Sequence, residues 1–86
     1  MSWENSIKEF KYYLKVERSL TNNTVEAYIR DVNKLSKYSM KNNLSIKSLI
    51  RENIQDFISF LNDEKISART QARVISSIKS FFKFLI

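Results

Sequence analysis

KISARTQARVISSIKSFFKFLI, residues 65–86, decides how this chain folds and where its charge collects. Wound at about 3.6 residues per turn, this stretch separates into an apolar face and a polar face. It holds five cations and no carboxylate. The pattern therefore predicts an amphipathic helix that needs a core on one side and offers positive charge on the other. The predicted apolar face comprises Gln71, Val74, Ile75, Ile78, Phe82 and Leu85, and the polar face comprises Arg69, Arg73, Ser76, Ser80 and Lys83.

The composition of the whole chain favours one small all-α domain spanning residues 1–86. Hydrophobic residues make up 43% and charged residues 28%, which is typical of a folded soluble chain. Glycine and proline are both absent. Because tight turns between strands normally require these two residues, their absence argues against a β-sheet fold.

The absence of two further residue types limits the chemistry. With no cysteine and no histidine, the chain cannot form disulfides, thiolate metal sites or a nucleophile–histidine pair. Zinc chemistry and nucleophile–histidine catalysis are therefore excluded. We expect no metal, no cofactor and no small-molecule ligand. No apolar run reaches the roughly 18 residues that a membrane span needs, so we expect a cytoplasmic protein without a membrane partner.

The net charge of +6 is unevenly distributed along the chain. Residues 1–18 carry +1, residues 19–50 carry +3, residues 51–64 carry −3 and residues 65–86 carry +5. A chain charged only for solubility tends to mix its signs. The concentration of cations in the second and last segments indicates a polyanionic partner and suits a phosphate backbone.

Apolar periodicity and capping residues predict four helices. The first runs from about Ser2 to Arg18, and the second starts at Thr21, or at a rival capping box formed by Asn23 and Glu26. We expect the second helix to end where an Asn takes the left-handed conformation. That end is expected near Asn42–Asn43. The third helix is predicted from about Arg51 to Asn62, and Ser67 is predicted to cap the fourth.

The candidate DNA contacts lie on the second and fourth helices. Free amides and short polar side chains at a helix start can bind phosphate, although the same residues also serve as ordinary caps. A guanidinium group holds phosphate or a guanine edge in bidentate fashion, so Arg69 and Arg73 are the preferred contacts. From Arg73→Ala we expect a loss of about 1 to 3 kcal/mol in DNA binding without unfolding. The candidate set is Thr21, Asn22, Asn23, Thr24, Arg30, Lys34, Arg69, Thr70, Arg73, Ser76, Ser77, Ser80 and Lys83.

Ten of the eleven aromatic residues fall into two groups. Six are expected in the core, because large rings dominate the interior of small domains. Four others cannot all be buried in so small a domain, and exposed aromatic residues mark contact surfaces. The core group is Trp3, Phe10, Tyr28, Phe57, Phe60 and Phe82, and the contact group is Tyr12, Tyr13, Phe81 and Phe84.

One set of residues resembles a known family. It comprises the run from Glu17 to Thr24, then Tyr28, Asp31 and Val32, then Ser67, Ala68, Arg69, Arg73, Ile78, Phe82, Phe84 and Leu85. Together they resemble the N-terminal core-binding domain of tyrosine recombinases, most closely the Xer type, with phage integrases as near relatives. The resemblance departs from the family at Ile50, where a Ser or Thr usually caps the third helix.

This resemblance implies a SAM-like, compact bundle of four helices in two crossed antiparallel pairs. Such a domain forms half of a clamp on a recombination half-site, with the second and fourth helices against DNA. The family's catalytic residues belong to a later domain, so this chain is expected to lack them and to continue beyond Ile86. The implied partners are double-stranded DNA, the C-terminal catalytic domain and neighbouring recombinase protomers in a synaptic complex.

Two other classes of function remain open from sequence. An unrelated helix-turn-helix regulator would bind DNA as a dimer, although the turns here lack the usual glycine. A helical protein-interaction domain would use exposed aromatic residues to bind a partner helix and would ignore DNA. A membrane-surface helix is disfavoured, because four amphipathic faces suffice to cover one another.

Overall fold

A computed structural model of the chain describes residues 2–86 and contains four α-helices, with no strand among those residues. The helices are α1 (Trp3–Tyr12), α2 (Asn22–Lys41), α3 (Arg51–Asp63) and α4 (Ala68–Leu85). A π-helical turn, Tyr13–Glu17, extends α1, and a 3-10 turn, Ile46–Ser48, lies in the connector before α3. The expected all-α, four-helix class is confirmed.

Side-chain caps begin three of the helices where the sequence predicts them. The hydroxyls of Ser2, Thr21 and Ser67 each accept a hydrogen bond from the amide three residues later. Thr21 is thus the cap of α2, in preference to the rival box at Asn23. At Ile50 no side chain caps α3, but the Asn53 side chain accepts from the Ile50 amide at 2.9 Å.

Three non-glycine residues with positive φ end the helices of this glycine-free chain: Ser19, Asn43 and Lys65, with φ of 52°, 59° and 57°. Asn43 takes the left-handed conformation predicted for the end of α2. After α2 the amide of Leu44 donates to the carbonyl of Ser39 at 2.7 Å. After α3 the amide of Ile66 donates to the carbonyl of Leu61 at 3.5 Å. Both are the six-to-one bonds of the Schellman motif.

The core is aliphatic and aromatic, and all four helices contribute to it. Phe10 of α1 lies edge-on to Phe81 of α4 with ring centroids 5.2 Å apart, and both rings are fully buried. The side chains with at most 1% exposure, charged and small residues aside, are Phe10, Leu14, Val25, Val32, Leu35, Phe57, Leu61, Val74 and Phe81.

The structure corrects three expectations about aromatic residues. Phe81, expected on a contact surface, is fully buried, whereas Phe82 is only half-buried. Phe60, expected in the core, is 39% exposed and lines an open groove with Tyr38. Phe84, expected at a contact surface, is half-buried against Phe10 and Tyr13, so part of its ring stays accessible and that expectation stays a prediction. Helical periodicity placed α4 correctly but set its apolar face about one residue out of phase.

Helices α2 and α4 make the most extensive helix–helix contact and run antiparallel. The start of α2 faces Ser76 and Ser77, its middle faces Arg73, and its end lies beside Ile66. The two most basic segments of the chain are therefore neighbours. No helix among residues 2–86 has both the length and the apolar character that a membrane span requires.

Candidate nucleic-acid interface

A shallow groove of about 370 Å³ joins the start of α2 to the middle of α4. Five of the predicted contact residues line it: Asn23, Thr24, Arg73, Ser76 and Ser77. Ala27 and Tyr28 form its floor on the α2 side. Polar side chains from two sequence segments about 50 residues apart thus meet in one place, as an interface between two helices requires.

The α2 end of this groove has the features of an anion site. The Thr21 hydroxyl accepts from the Thr24 amide at 3.3 Å and donates to the Thr24 hydroxyl at 2.9 Å. The amides of Asn22 and Asn23, in the first turn, have no intrahelical acceptor because of their position. All four side chains are exposed. The first turn of a 20-residue helix thus offers free N–H groups and positive potential to solvent.

The exposed face of α4 presents most of the predicted contacts in one row. Arg69, Ser76 and Lys83 are exposed, and Ser80 is half-buried beside them. Thr70 is half-buried, and its hydroxyl accepts a hydrogen bond from Ser67 at 3.0 Å. This ties Thr70 to the cap of α4 and leaves it at the edge of the row.

Arg73 differs from the other cations because a carboxylate holds it. Its Nε donates to Oδ2 of Asp31 at 3.0 Å, and one Nη donates to Oδ1 at 2.9 Å. The hydrogen bond and the charge of Asp31 raise the pKa of Arg73 above its ordinary value. This is the only ion pair found within residues 2–86. Arg73 is therefore not the unpaired cation that the sequence of α4 alone indicated.

The same carboxylate also contacts Ser77. This side chain is 2% exposed, and its hydroxyl donates to Oδ2 of Asp31 at 2.8 Å. Ser77 therefore has little surface to offer a phosphate group, and its hydroxyl proton is already donated to Asp31. In the site, Ser77 donates a hydrogen bond to the carboxylate that holds Arg73.

Asp31 is the residue that sequence reasoning missed. It is fully buried on the side of α2 that faces α4. The sequence did contain a signal: Asp31 lies three residues after Tyr28 and four before Leu35, within the apolar stripe of α2. A carboxylate at such a position must be paired in the fold, because an isolated buried charge is very unfavourable.

Arg30 and Lys34 lie apart from the groove. They line a separate depression between α2 and α1, together with Lys11, Glu26 and Lys37. Along α2, however, Asn23, Arg30 and Lys34 follow one another at i, i+7 and i+11, so they share one stripe of the helix. The structure thus places these two cations outside the groove, further along the stripe of α2 that begins at Asn23.

Comparison with known proteins agrees with this fold. The chain belongs to the phage integrase N-terminal SAM-like domain family, whose model matches residues 7–86. This confirms the resemblance seen in the sequence. It also removes the unrelated helix-turn-helix regulator.

Two individual relatives illustrate the similarity. The chain is 39% identical over 80 residues to tyrosine recombinase XerD of Rickettsia conorii, which covers 93% of this chain and 26% of that protein. It is 37% identical over 84 residues to tyrosine recombinase XerD of Staphylococcus aureus strain Mu50, covering 96% of this chain and 28% of that protein. The chain thus spans little more than a quarter of the length of these relatives. No solved structure matches it significantly.

Proposed function

We propose that residues 1–86 form a single core-binding domain that binds double-stranded DNA and supplies half of the clamp of a site-specific tyrosine recombinase. The relatives bearing the name tyrosine recombinase support the class of reaction. The observation that carries DNA binding is the meeting of the α2 start with the basic face of α4 in one groove.

The two helices that form this groove offer different donors to phosphate, backbone amides from α2 and cationic side chains from α4. Backbone amides at the start of α2 donate to phosphate oxygens in a fixed direction and need no lysine. Arg69 and Lys83 on α4 supply full positive charges along the same face. Because the two helices are antiparallel neighbours, one strand of the DNA backbone would meet both kinds of donor at once.

Affinity in this proposal comes mainly from neutralising phosphates. Exposed Lys and Arg side chains release counterions from DNA when they bind, so affinity falls steeply as salt increases. Side chains of α2 and α4 that reach the major groove would add sequence preference. A domain that forms only half of a clamp would bind weakly when tested alone.

The remaining parts of the recombinase complete the proposal. The tyrosine nucleophile and its helpers would reside in a C-terminal catalytic domain, as the other half of the clamp. Neighbouring protomers would contact the α1 side of the bundle, where Tyr12 is 67% exposed. That surface lies on a helix outside the α2–α4 groove, so both contacts could form while DNA is bound.

The test is a fluorescence-anisotropy titration of the 86-residue chain with a labelled DNA duplex at several salt concentrations. We expect saturable binding that weakens by about 0.9 logarithmic unit per phosphate contact for each tenfold increase in salt. A protein-interaction domain would show no binding at low salt, and that result would overturn the proposal. Binding that does not respond to salt would count equally against it.

A further inference from the structure

The carboxylate of Asp31 lies at the junction of α2 and α4, where two side chains of α4 donate hydrogen bonds to it. It is 0% exposed and accepts three hydrogen bonds, two from Arg73 and one from Ser77, at 2.8 to 3.0 Å. Two of the three donors belong to a single guanidinium group. Because the carboxylate is buried in the bundle, its position is fixed by the packing of α2.

Arg73, by contrast, reaches from this buried carboxylate to the surface. Its side chain is 45% exposed although two of its nitrogens contact Asp31. A guanidinium has five N–H donors in one rigid plane, so three remain after these two bonds. Those three are carried by the two Nη atoms, on the part of the plane that does not contact Asp31, and Arg73 lines the groove together with Asn23, Thr24 and Ser76.

We infer that Asp31 is a positioning residue, which fixes the guanidinium plane of Arg73 so that its free edge donates to a DNA phosphate in the α2–α4 groove. This inference rests on the proposed DNA-binding function. Without Asp31, the long Arg73 side chain would sample many rotamers and would lose that freedom on binding DNA. With Asp31 in place, the Arg73 side chain is already ordered in the folded protein, so DNA binding does not carry that entropy cost.

Charge and positioning predict opposite results when Asp31 is neutralised. Asp31→Asn removes one negative charge from behind a DNA-binding face, so electrostatics alone would strengthen binding. If Asp31 positions Arg73, the same substitution weakens binding despite the added net positive charge. The sign of the change therefore separates the two explanations, and a purely structural role would not produce the weakening in folded protein.

The experiment compares wild type with Asp31→Asn in the anisotropy titration described above, with concentrations corrected for the folded fraction from circular dichroism. We expect the affinity of Asp31→Asn for duplex DNA to fall at least about fivefold, the size of a coupling between contacting charged groups. Equal or tighter binding by the folded variant would overturn the inference.

A second variant keeps the test decisive if Asp31→Asn does not fold. Arg73→Lys preserves the charge but replaces the planar fork by a single ammonium group. We expect it to lose about as much affinity as Asp31→Asn, at least about fivefold, and the double variant to lose little more than either alone. Unchanged affinity of Arg73→Lys would overturn the inference without any need for Asp31→Asn.

The matched control is Arg51→Lys at the start of α3, where the arginine is exposed, has no carboxylate partner within residues 2–86 and lies on a helix without candidate DNA contacts. We expect this variant to bind DNA within about twofold of wild type, because it keeps the net charge and leaves the α2–α4 groove unchanged. If Arg51→Lys loses as much affinity as Arg73→Lys, the effect is not specific to the position of Arg73 and the positioning role fails. Failure of wild type to bind DNA would overturn the proposed function itself, a different result from tighter binding by Asp31→Asn.

Discussion

The indole Nε1 of Trp3 donates a hydrogen bond to the backbone carbonyl of Leu44 at 3.3 Å, joining the first turn of α1 to the connector that follows α2. The two residues are 41 positions apart. The same indole is 7% exposed and lies against Phe81 with ring centroids 6.2 Å apart. Trp3 thus contributes both a large apolar surface and one specific polar contact.

Trp3→Phe should separate these two contributions. The phenyl ring keeps most of the packing but leaves the Leu44 carbonyl without its donor, so we expect a loss of about 1 to 2 kcal/mol in the free energy of unfolding. Trp3→Ala should cost about 3 to 5 kcal/mol, because it also leaves a cavity. Urea denaturation followed by circular dichroism measures both. If both variants lose the same free energy of unfolding, the hydrogen bond to Leu44, and not the packing of the ring, is the stabilising contribution of Trp3.

Phe81 and Phe82 are adjacent in sequence but differ in burial, and substitution should reveal the difference. We expect Phe81→Ala to cost about 3 to 5 kcal/mol, since its ring is fully buried between Trp3 and Phe10. Phe82→Ala should cost only about 1 to 2 kcal/mol, because its half-buried ring loses less apolar contact. Urea midpoints of the two variants give the comparison, and the reverse order would contradict this packing.

That pair also shows how far the sequence determines the fold. Helix number, order and most boundaries follow from periodicity and from caps such as Thr21 and Ser67, because these are local interactions. Which of two neighbouring rings faces inward depends on how α1 packs across α4. A helix turns 100° per residue, so Phe81 and Phe82 both border the apolar stripe, and only tertiary contacts decide between them.

The candidate site shows the same division. The basic residues of α4 could be identified from sequence, since a row of cations without carboxylates is visible within one helix. The partner of Arg73 could not, because Asp31 lies 42 residues away and the two meet only through the antiparallel packing of α2 and α4. The burial of Ser77 follows from that same contact. Long-range polar pairs are where sequence reasoning about this site failed.

Exposed cations on α4 should contribute to DNA binding without contributing to stability. We expect Arg69→Ala and Lys83→Ala each to weaken duplex binding and to reduce the slope of log affinity against log salt by about 1. The urea midpoint should not change, since both side chains are exposed. Lys8→Ala is the matched control, because Lys8 is an exposed lysine on α1, in a groove outside the α2–α4 interface. A similar loss of affinity for Lys8→Ala would mean that only total charge matters.

The start of α3 offers a stabilising substitution. Ile50 occupies the N-cap position in an extended conformation, is 58% exposed and provides no side-chain acceptor. Ile50→Thr would supply a hydroxyl for the Asn53 amide, while the Asn53 side chain already accepts from the amide of residue 50. We expect a gain of about 1 kcal/mol in the free energy of unfolding. Ile50→Val, which has no hydroxyl, should give no such gain in the same urea titration.

The left-handed residue after α3 provides the last prediction. Lys65 has a φ of 57° at the position where a Schellman motif usually carries glycine, and its Cβ is strained there. Lys65→Gly should relieve this strain and raise the free energy of unfolding by about 1 kcal/mol, although glycine gives back part of the gain through the greater freedom of the unfolded chain. Asn43→Gly, at a φ of 59°, should gain less, because asparagine tolerates this conformation better than lysine. Thermal and urea denaturation of the two variants test the ranking, and a larger gain at Asn43 would show that backbone strain does not limit stability at Lys65.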